Sequence, residues 1–298
     1  MATFATPARI AATIEIGLGD VHLIAGERTD TVVDVRPSNA TNDNDKRAAE
    51  QTKVDFANGK LVVKAPRNWL RNIGTRDGGS IDVTIELPTG SQLSGDAGAA
   101  TLRAEGALGV VRFKSGAGDI RLDRTGALEL KTAMGAVEVL EVHGDANVTT
   151  GSGDIRLHDI AGNAVLKNAN GDCTVGVVAG ALRCNTANGR IGVDRAGGDV
   201  SAKTANGTIR VGELTRGSVT LGTALGDIEI GIRPGTAARL DVNTKFGRLR
   251  NELDSAAGPA ATDSTVEVQA RTAAGDIVVR RSEDRVGKTG AATETEES

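Results

Sequence analysis

The stretch Gly153-Asp-Ile-Arg-Leu157-His-Asp-Ile-Ala-Gly162-Asn-Ala-Val-Leu166-Lys-Asn-Ala-Asn-Gly171-Asp-Cys-Thr-Val175 decides the fold. It carries glycines nine residues apart, each followed by apolar side chains at the second and fourth positions, and the pattern restarts after eighteen residues. Alternation over so short a run marks a strand with one buried face, and each Gly permits a turn. Ile155 and Leu157 therefore point inward, while Asp154 and Arg156 point to solvent.

Outward from this stretch the pattern recurs. Glycines 118, 135, 153, 171, 189, 207 and 226 each open a Gly-x-apolar-x-apolar run, at spacings of 17, 18, 18, 18, 18 and 19. A second series at Gly126, Gly144, Gly162, Gly180, Gly198 and Gly217 precedes the first by nine residues throughout. The unit is a nine-residue strand and turn, and two units make one coil. Such a unit cannot bury its apolar face alone, but coils stacked at about 4.8 Å close a parallel ladder and a continuous core. The expected fold is all-β, a single-chain parallel β-solenoid of about eight or more coils. Weaker copies at Gly98, Gly247 and Gly275 show the pattern decaying toward both ends.

The turns agree with the strands. Three residues before the first-series glycines stand Ser115, Thr132, Thr150, Asn168, Thr186, Thr204, Thr223, Thr244 and Thr272. Stacked hydroxyls and amides at one corner are expected to bond the adjacent coil. Asn170, Asn188 and Asn206 each precede a Gly, a pair suited to positive φ.

Residues 1–95 are β-rich but irregular and are expected to form a cap on the coils of 96–280, with 281–298 as a disordered polar tail. Within the cap, 12–16, 19–24, 31–35, 60–64 and 80–87 read as strands, and Gly19-Asp-Val-His-Leu23 repeats the coil motif. Residues 44–52 have helical composition, with Asp43 or Asn44 as the N-cap.

Composition narrows the function. The 298 residues carry a formal charge of -4, with 39 Gly, 4 Phe, 1 Trp and no Tyr. No basic patch or aromatic platform suits a nucleic acid. The opening residues lack a basic region followed by an apolar stretch, so no secretory signal is read, and the default expectation is a cytoplasmic chain with surface export left open. Cys173 and Cys184 occupy inward positions and are expected to be small core residues.

Val83-Thr-Ile-Glu-Leu-Pro-Thr-Gly90 followed by Gly-Asp-Ile-x-Leu coils, with Thr or Asn before the turn, resembles a family of bacterial β-strand-repeat proteins of unknown function, toastrack-like and labelled putative adhesins. The resemblance spans roughly residues 10 to 280. It implies a solenoid with a strand-rich N-terminal portion and supplies no catalytic residues.

Motifs that suggest chemistry fit the coil better. Gly116-Ala-Gly118 and Gly151-Ser-Gly153 lead into strands, lack the third Gly and so do not form a dinucleotide site. Gly287-Lys-Thr289 lacks the leading Gly of a phosphate loop. Asp119, Asp154, Asp172, Asp227 and Asp276 invite comparison with calcium repeats, but Ala136, Arg190 and Thr208 interrupt the column, so a turn-closing role is expected and no metal. The outward column Arg121, Glu138, Arg156, Thr174, Gly192, Arg210, Glu229 alternates in charge and has no aromatic to hold a sugar ring. His22, His143 and His158 are dispersed. Arg67, Trp69 and Arg71, with the sole Trp among basic residues, form a candidate partner contact, against the commoner use of a lone Trp as a cap anchor.

The expectation is therefore a scaffold that is not an enzyme, has no cofactor or small-molecule substrate, and binds an unidentified protein partner. Its alternatives are a structural protein polymerising through solenoid ends and an accessory in envelope-stress signalling.

Overall fold

The computed structural model describes residues 1–65, 79–254 and 264–282. Among these residues twenty-five strands join into one sheet wound as a solenoid, with a single helix. The N-terminal elements are β1 (Ala2–Ala5), β2 (Ala11–Gly26), β3 (Asp30–Pro37), α1 (Asp43–Gln51), β4 (Lys53–Ala57), β5 (Lys60–Lys64), β6 (Ser80–Pro88) and β7 (Gln92–Ala107). Strands β8 to β19 alternate between two walls over residues 111–214. The last six are β20 (Gly217–Leu225), β21 (Ile228–Ile232), β22 (Thr236–Phe246), β23 (Leu249–Asn251), β24 (Ser264–Ala274) and β25 (Ile277–Arg281).

Through the middle of the chain each strand pairs in parallel with the strand one coil away, so Ile155 lies between Val137 and Cys173, and Leu166 between Val148 and Cys184. Equivalent inward residues stack into one continuous core of Ile, Val, Leu and Ala, among them Val137, Ile155, Ile191 and Ile209. Among the described residues Phe113 is the one aromatic fully buried there. It fits because its register partner is Gly95, where a Cβ would lie 2.5 Å from the ring.

The two glycine series do different work. First-series glycines hold positive φ and touch the coil below: at Gly189 (φ 143) a Cβ would stand 2.1 Å from the Gly171 carbonyl oxygen. In the second series, Gly162 and Gly180 have no positive φ, and their requirement is the close approach alone, a Cβ falling 2.6 Å from the neighbouring Gly carbonyl. The asparagines before the turns leave positive φ to glycine and use their amides instead. Asn188 donates to Asn170 and Asn206 to Asn188, at 2.9 and 2.8 Å.

At both ends the levels depart from chain order. Strand β2 spans both walls and lies between the β5/β6 level and β7, pairing in parallel with all three. The parallel stack thus reaches back to residues 11–26, and residues 89–91 carry the chain over the inserted level. At the other end β24 and β25 lie between β20/β21 and β22/β23, so residues 233–235 step over a level filled only later. A solenoid wound strictly in sequence order would place the last coil outermost; here the penultimate one takes that place.

Beyond β6 the parallel pattern stops. Strand β3 pairs antiparallel with β6, β1 antiparallel with β3, and β4 antiparallel with β5. Helix α1 packs beside β3 and β6. Its N-cap is Asn42, whose side chain accepts from the Asn44 N–H at 2.9 Å, one residue earlier than the composition suggested. Buried Asp45 accepts from the Asn39 and Ser80 N–H groups and ties the helix across the end of the stack.

Candidate functional site

The corner ladder is largely internal. Ser115, Thr132, Thr150, Asn168, Thr186, Thr204, Thr223 and Thr272 are all buried. Asn168 donates to the Gly153 carbonyl at 2.9 Å, Thr204 to Gly189 at 3.2 Å, Thr223 to Gly207 at 3.0 Å and Thr272 to Gly226 at 3.0 Å. Each satisfies the carbonyl of a first-series Gly in the coil below, which ties coil to coil. Thr132 donates instead to the Met134 carbonyl two residues on and Thr186 likewise to Asn188, while Thr150 reaches both the Gly135 carbonyl, at 3.5 Å, and that of Ser152, at 3.4 Å.

The aspartates that follow glycines also serve the backbone. Asp119 accepts from the Ala136 N–H, Asp154 from Asp172, Asp172 from Arg190, and Asp227 from Asp276, at 2.7–3.0 Å. One carboxylate oxygen per turn is therefore engaged by the next coil. Among the described residues no three His, Cys, Asp or Glu side chains converge as a metal site would require.

Along the side walls, stacking sets opposite charges above one another: Arg121 and Glu138 at 3.6 Å, Arg210 and Glu229 at 3.7 Å, Arg195 and Glu213 at 3.3 Å. The exposed pairs Arg121–Glu138 and Arg210–Glu229 are each worth about 1 kcal/mol at most. A cleft of about 190 Å³ is lined by Arg195, Arg210, Glu213 and Glu229, charges paired in this way, together with Asp194 and Arg280. Cys173 and Cys184 are free and buried. The neighbouring Cys173 thiol, followed by burial, holds the Cys184 thiol well above the ordinary thiol range. Arg67, Trp69 and Arg71 lie outside the described residues.

What the corner ladder and the side walls lack, the C-terminal end has. Strand β22 pairs only with β24 and β23 only with β25, so among the described residues their outer edges meet no other strand. An eleven-residue edge with unpaired N–H and C=O groups is a template for another strand. Its inward residues Ala238, Leu240 and Val242 are only half-buried, whereas their register partners Val266, Val268 and Ala270 are fully buried one level in. Phe246 is 77% exposed and Leu249 50%. An open groove of about 1000 Å³ runs beside this edge, lined among others by Arg216, Leu240, Leu253, Val266 and Arg281.

One sequence signal marked this end. The position preceding each first-series Gly carries Asn170, Asn188 and Asn206 in the middle coils, and the same stack continues as Leu225, Ala274 and Phe246. Beyond Asn206 the column is apolar toward the open edge, as it is on the far side at Ala117 and exposed Met134.

The Toastrack DUF4097 family model matches residues 13–287, nearly the whole of the chain. The chain belongs to this family. No curated protein matches the toastrack chain. Similar solved structures include a putative adhesin from Bacteroides fragilis NCTC 9343, at 13% identity and a TM-score of 0.35, covering 94% of this chain and 96% of that one. A putative adhesin from Parabacteroides distasonis ATCC 8503 shows 11% identity and 0.31 over 93% and 95%. A putative cell adhesion protein from Clostridium sporogenes ATCC 15579 shows 8% and 0.22 over 94% and 98%. The toastrack assignment rests on the family match and on the stacked coils. No described helix is long and apolar enough to cross a membrane.

Proposed function

We propose that this toastrack chain is a non-enzymatic, rigid scaffold that binds a polypeptide by strand addition at its open end. The observation that carries this reading is the contrast between β22, an eleven-residue unpaired edge with half-exposed Leu240 and Val242 and an exposed Phe246, and the opposite end, where antiparallel β3 and β4 cover the parallel stack and the edges left, β1 and β4, are four and five residues long. The side walls support it in part, because opposite charges stack there, as at Arg121–Glu138 and Arg210–Glu229, and several turn carboxylates are taken up by N–H groups. Adhesion is one form of the reading, and its support here is the open edge alone. In domain terms, β1, β3, α1 and β4 serve as the cap and the parallel coils as the rod that holds the edge.

Site-specific photo-crosslinking in the cells that make the chain tests the proposal. A photoreactive phenylalanine analogue is placed at Phe246 on the open end, at Thr174 on a side wall and at Thr3 on the closed end. A discrete polypeptide adduct at 246, with none at 174 or 3, is the expected result. No adduct at 246, or equal adducts at all three, overturns it.

A further inference from the structure

We infer that the polypeptide added at the open edge is a second copy of this chain, joined across a two-fold axis with β22 antiparallel to β22. This inference rests on the open-end reading above and gives the edge one occupant.

Closure comes first. A head-to-tail contact between copies needs two open ends and propagates into a filament; an isologous contact uses the same surface twice and closes at two copies. At the opposite end β6 and β5 are covered by antiparallel β3 and β4, and the edges left there belong to β1 and β4, four and five residues long against eleven for β22. Pairing β22 with β22 matches the eleven-residue edge to its equal and stops at a dimer.

The side-chain order of β22 then selects a register. Ala238, Leu240 and Val242 face inward, in line with buried Val266, Val268 and Ala270, while Arg239, Asp241 and Asn243 are exposed. Any self-pairing that keeps inward residues on the inward face moves in steps of two. Centred on Leu240, it sets Ala238 beside the partner subunit's Val242 and Arg239 beside the partner subunit's Asp241, twice over. Centred on position 239 or 241 it would oppose two arginines or two aspartates, and centred on 242 it would oppose Arg239 and the partner subunit's Lys245. Opposite charges directly across a strand pair stabilise it and like charges oppose it. The same register brings exposed Phe246 level with the partner subunit's Pro234, at the turn that leads into β22.

Charge reversal tests both the partner and the register. The full-length chain is followed by analytical ultracentrifugation from low to high micromolar concentration, with circular dichroism to verify that each variant is folded. Wild type is expected to dimerise. R239E and D241R should each weaken the dimer by about tenfold or more, because each opposes two like charges at the seam. The double variant R239E/D241R restores the opposition of unlike charges and should return to within a few-fold of wild type. Asp241 also meets Arg271 within one copy, at 3.4 Å, and D241R and the double variant lose that pair alike, so recovery in the double variant reports the seam itself. A chain monomeric at every concentration, or a double variant no tighter than the singles, overturns the inference. If a polypeptide adduct still forms at Phe246 while the purified chain stays monomeric, the open-end reading stands and only the second copy falls.

Discussion

At the N-terminal end the inserted level is β2, held beneath the turn Pro88-Thr-Gly-Ser91; at the C-terminal end it is β24 and β25, held beneath Arg233-Pro-Gly-Thr236. Both turns place a Gly at positive φ, Gly90 at 74° and Gly235 at 78°. Both are latched to the level they cross. The Ser91 hydroxyl accepts from the Ile10 N–H at 3.0 Å just before β2, and the Arg281 guanidinium at the end of β25 donates to the Arg233 and Thr236 carbonyls at 3.0 and 2.8 Å. The two ends part company only outside the outermost parallel level, where β3, β4 and α1 cover one and no described strand covers the other. Threading a late or early segment into the penultimate place therefore locks an end without finishing it. Antiparallel strands cover the parallel edge at one end, and the end without them is the one proposed to bind a polypeptide.

The largest effect that would sharpen this contrast is a single methyl group at each end. In β2 a Cβ on Gly19 would fall 1.7 Å from the Ile81 carbonyl oxygen, at a φ of 135°. The strand is clamped by β6 on one side and β7 on the other, so Gly19→Ala is expected to cost about 3 kcal/mol or more. At Gly247 the Cβ would fall 1.9 Å from the Gly275 carbonyl, but among the described residues the outermost coil has strand neighbours on one side only and can lift away. Gly247→Ala should cost less than half as much. Urea unfolding followed with hydrogen exchange on each end separates the two, since a stacked repeat can lose an end without global unfolding. Equal losses would break the distinction between a clamped and a free level.

Core truncation comes next. Leu23 is fully buried in the inserted coil, and Leu23→Ala is expected to cost about 3 kcal/mol through lost burial and a residual cavity. Half-exposed Leu240 has less to lose, and Leu240→Ala should cost about 1 kcal/mol or less in dilute monomer. If a second copy covers β22, the Leu240→Ala penalty in the thermal midpoint grows as the chain is concentrated, while that of Leu23→Ala stays constant. A concentration-independent Leu240 penalty would leave the edge uncovered.

Much of this was legible before any coordinates. The glycine spacings from 118 to 226 fixed the coil, and the Thr and Asn positions three residues earlier marked the buried corner. The order of levels at the ends was not legible, for a physical reason: a parallel ladder is chemically the same whichever coil lies next. Gly19-Asp-Val-His-Leu23 pairs as well with Ile81–Ile85 as with residues 100–104, so its one-dimensional pattern carries no address. The two Pro-Gly turns were visible, but a turn that steps over a level looks in sequence like one that climbs a single level. The open edge left a fainter mark, the replacement of the Asn column by Leu225 and Phe246. Reading it required knowing that β22 is outermost. The basic segment at Trp69, singled out because its composition is unusual, falls outside the described residues and leaves the edge as the better-founded site.

The smallest expected effect probes the latches. Removing the Ser91 hydroxyl leaves the Ile10 N–H with no acceptor in a corner where Ser91 itself is fully buried and also donates to the Pro88 carbonyl at 2.6 Å. A stranded buried donor costs about 1–3 kcal/mol, so Ser91→Ala should lower exchange protection at Ile10 and along β2 by at least several-fold. Arg281→Met keeps much of the side chain's length while deleting the donors to the Arg233 and Thr236 carbonyls. Position 281 is exposed, so water can reach those carbonyls, and the loss should stay near or below 1 kcal/mol. Its readout is faster exchange confined to β22 and β25, with β2 untouched. Should Arg281→Met instead release β22 and β23 altogether, the open end would be held mainly by its latch, and the outermost coil would be a hinged flap on the stack.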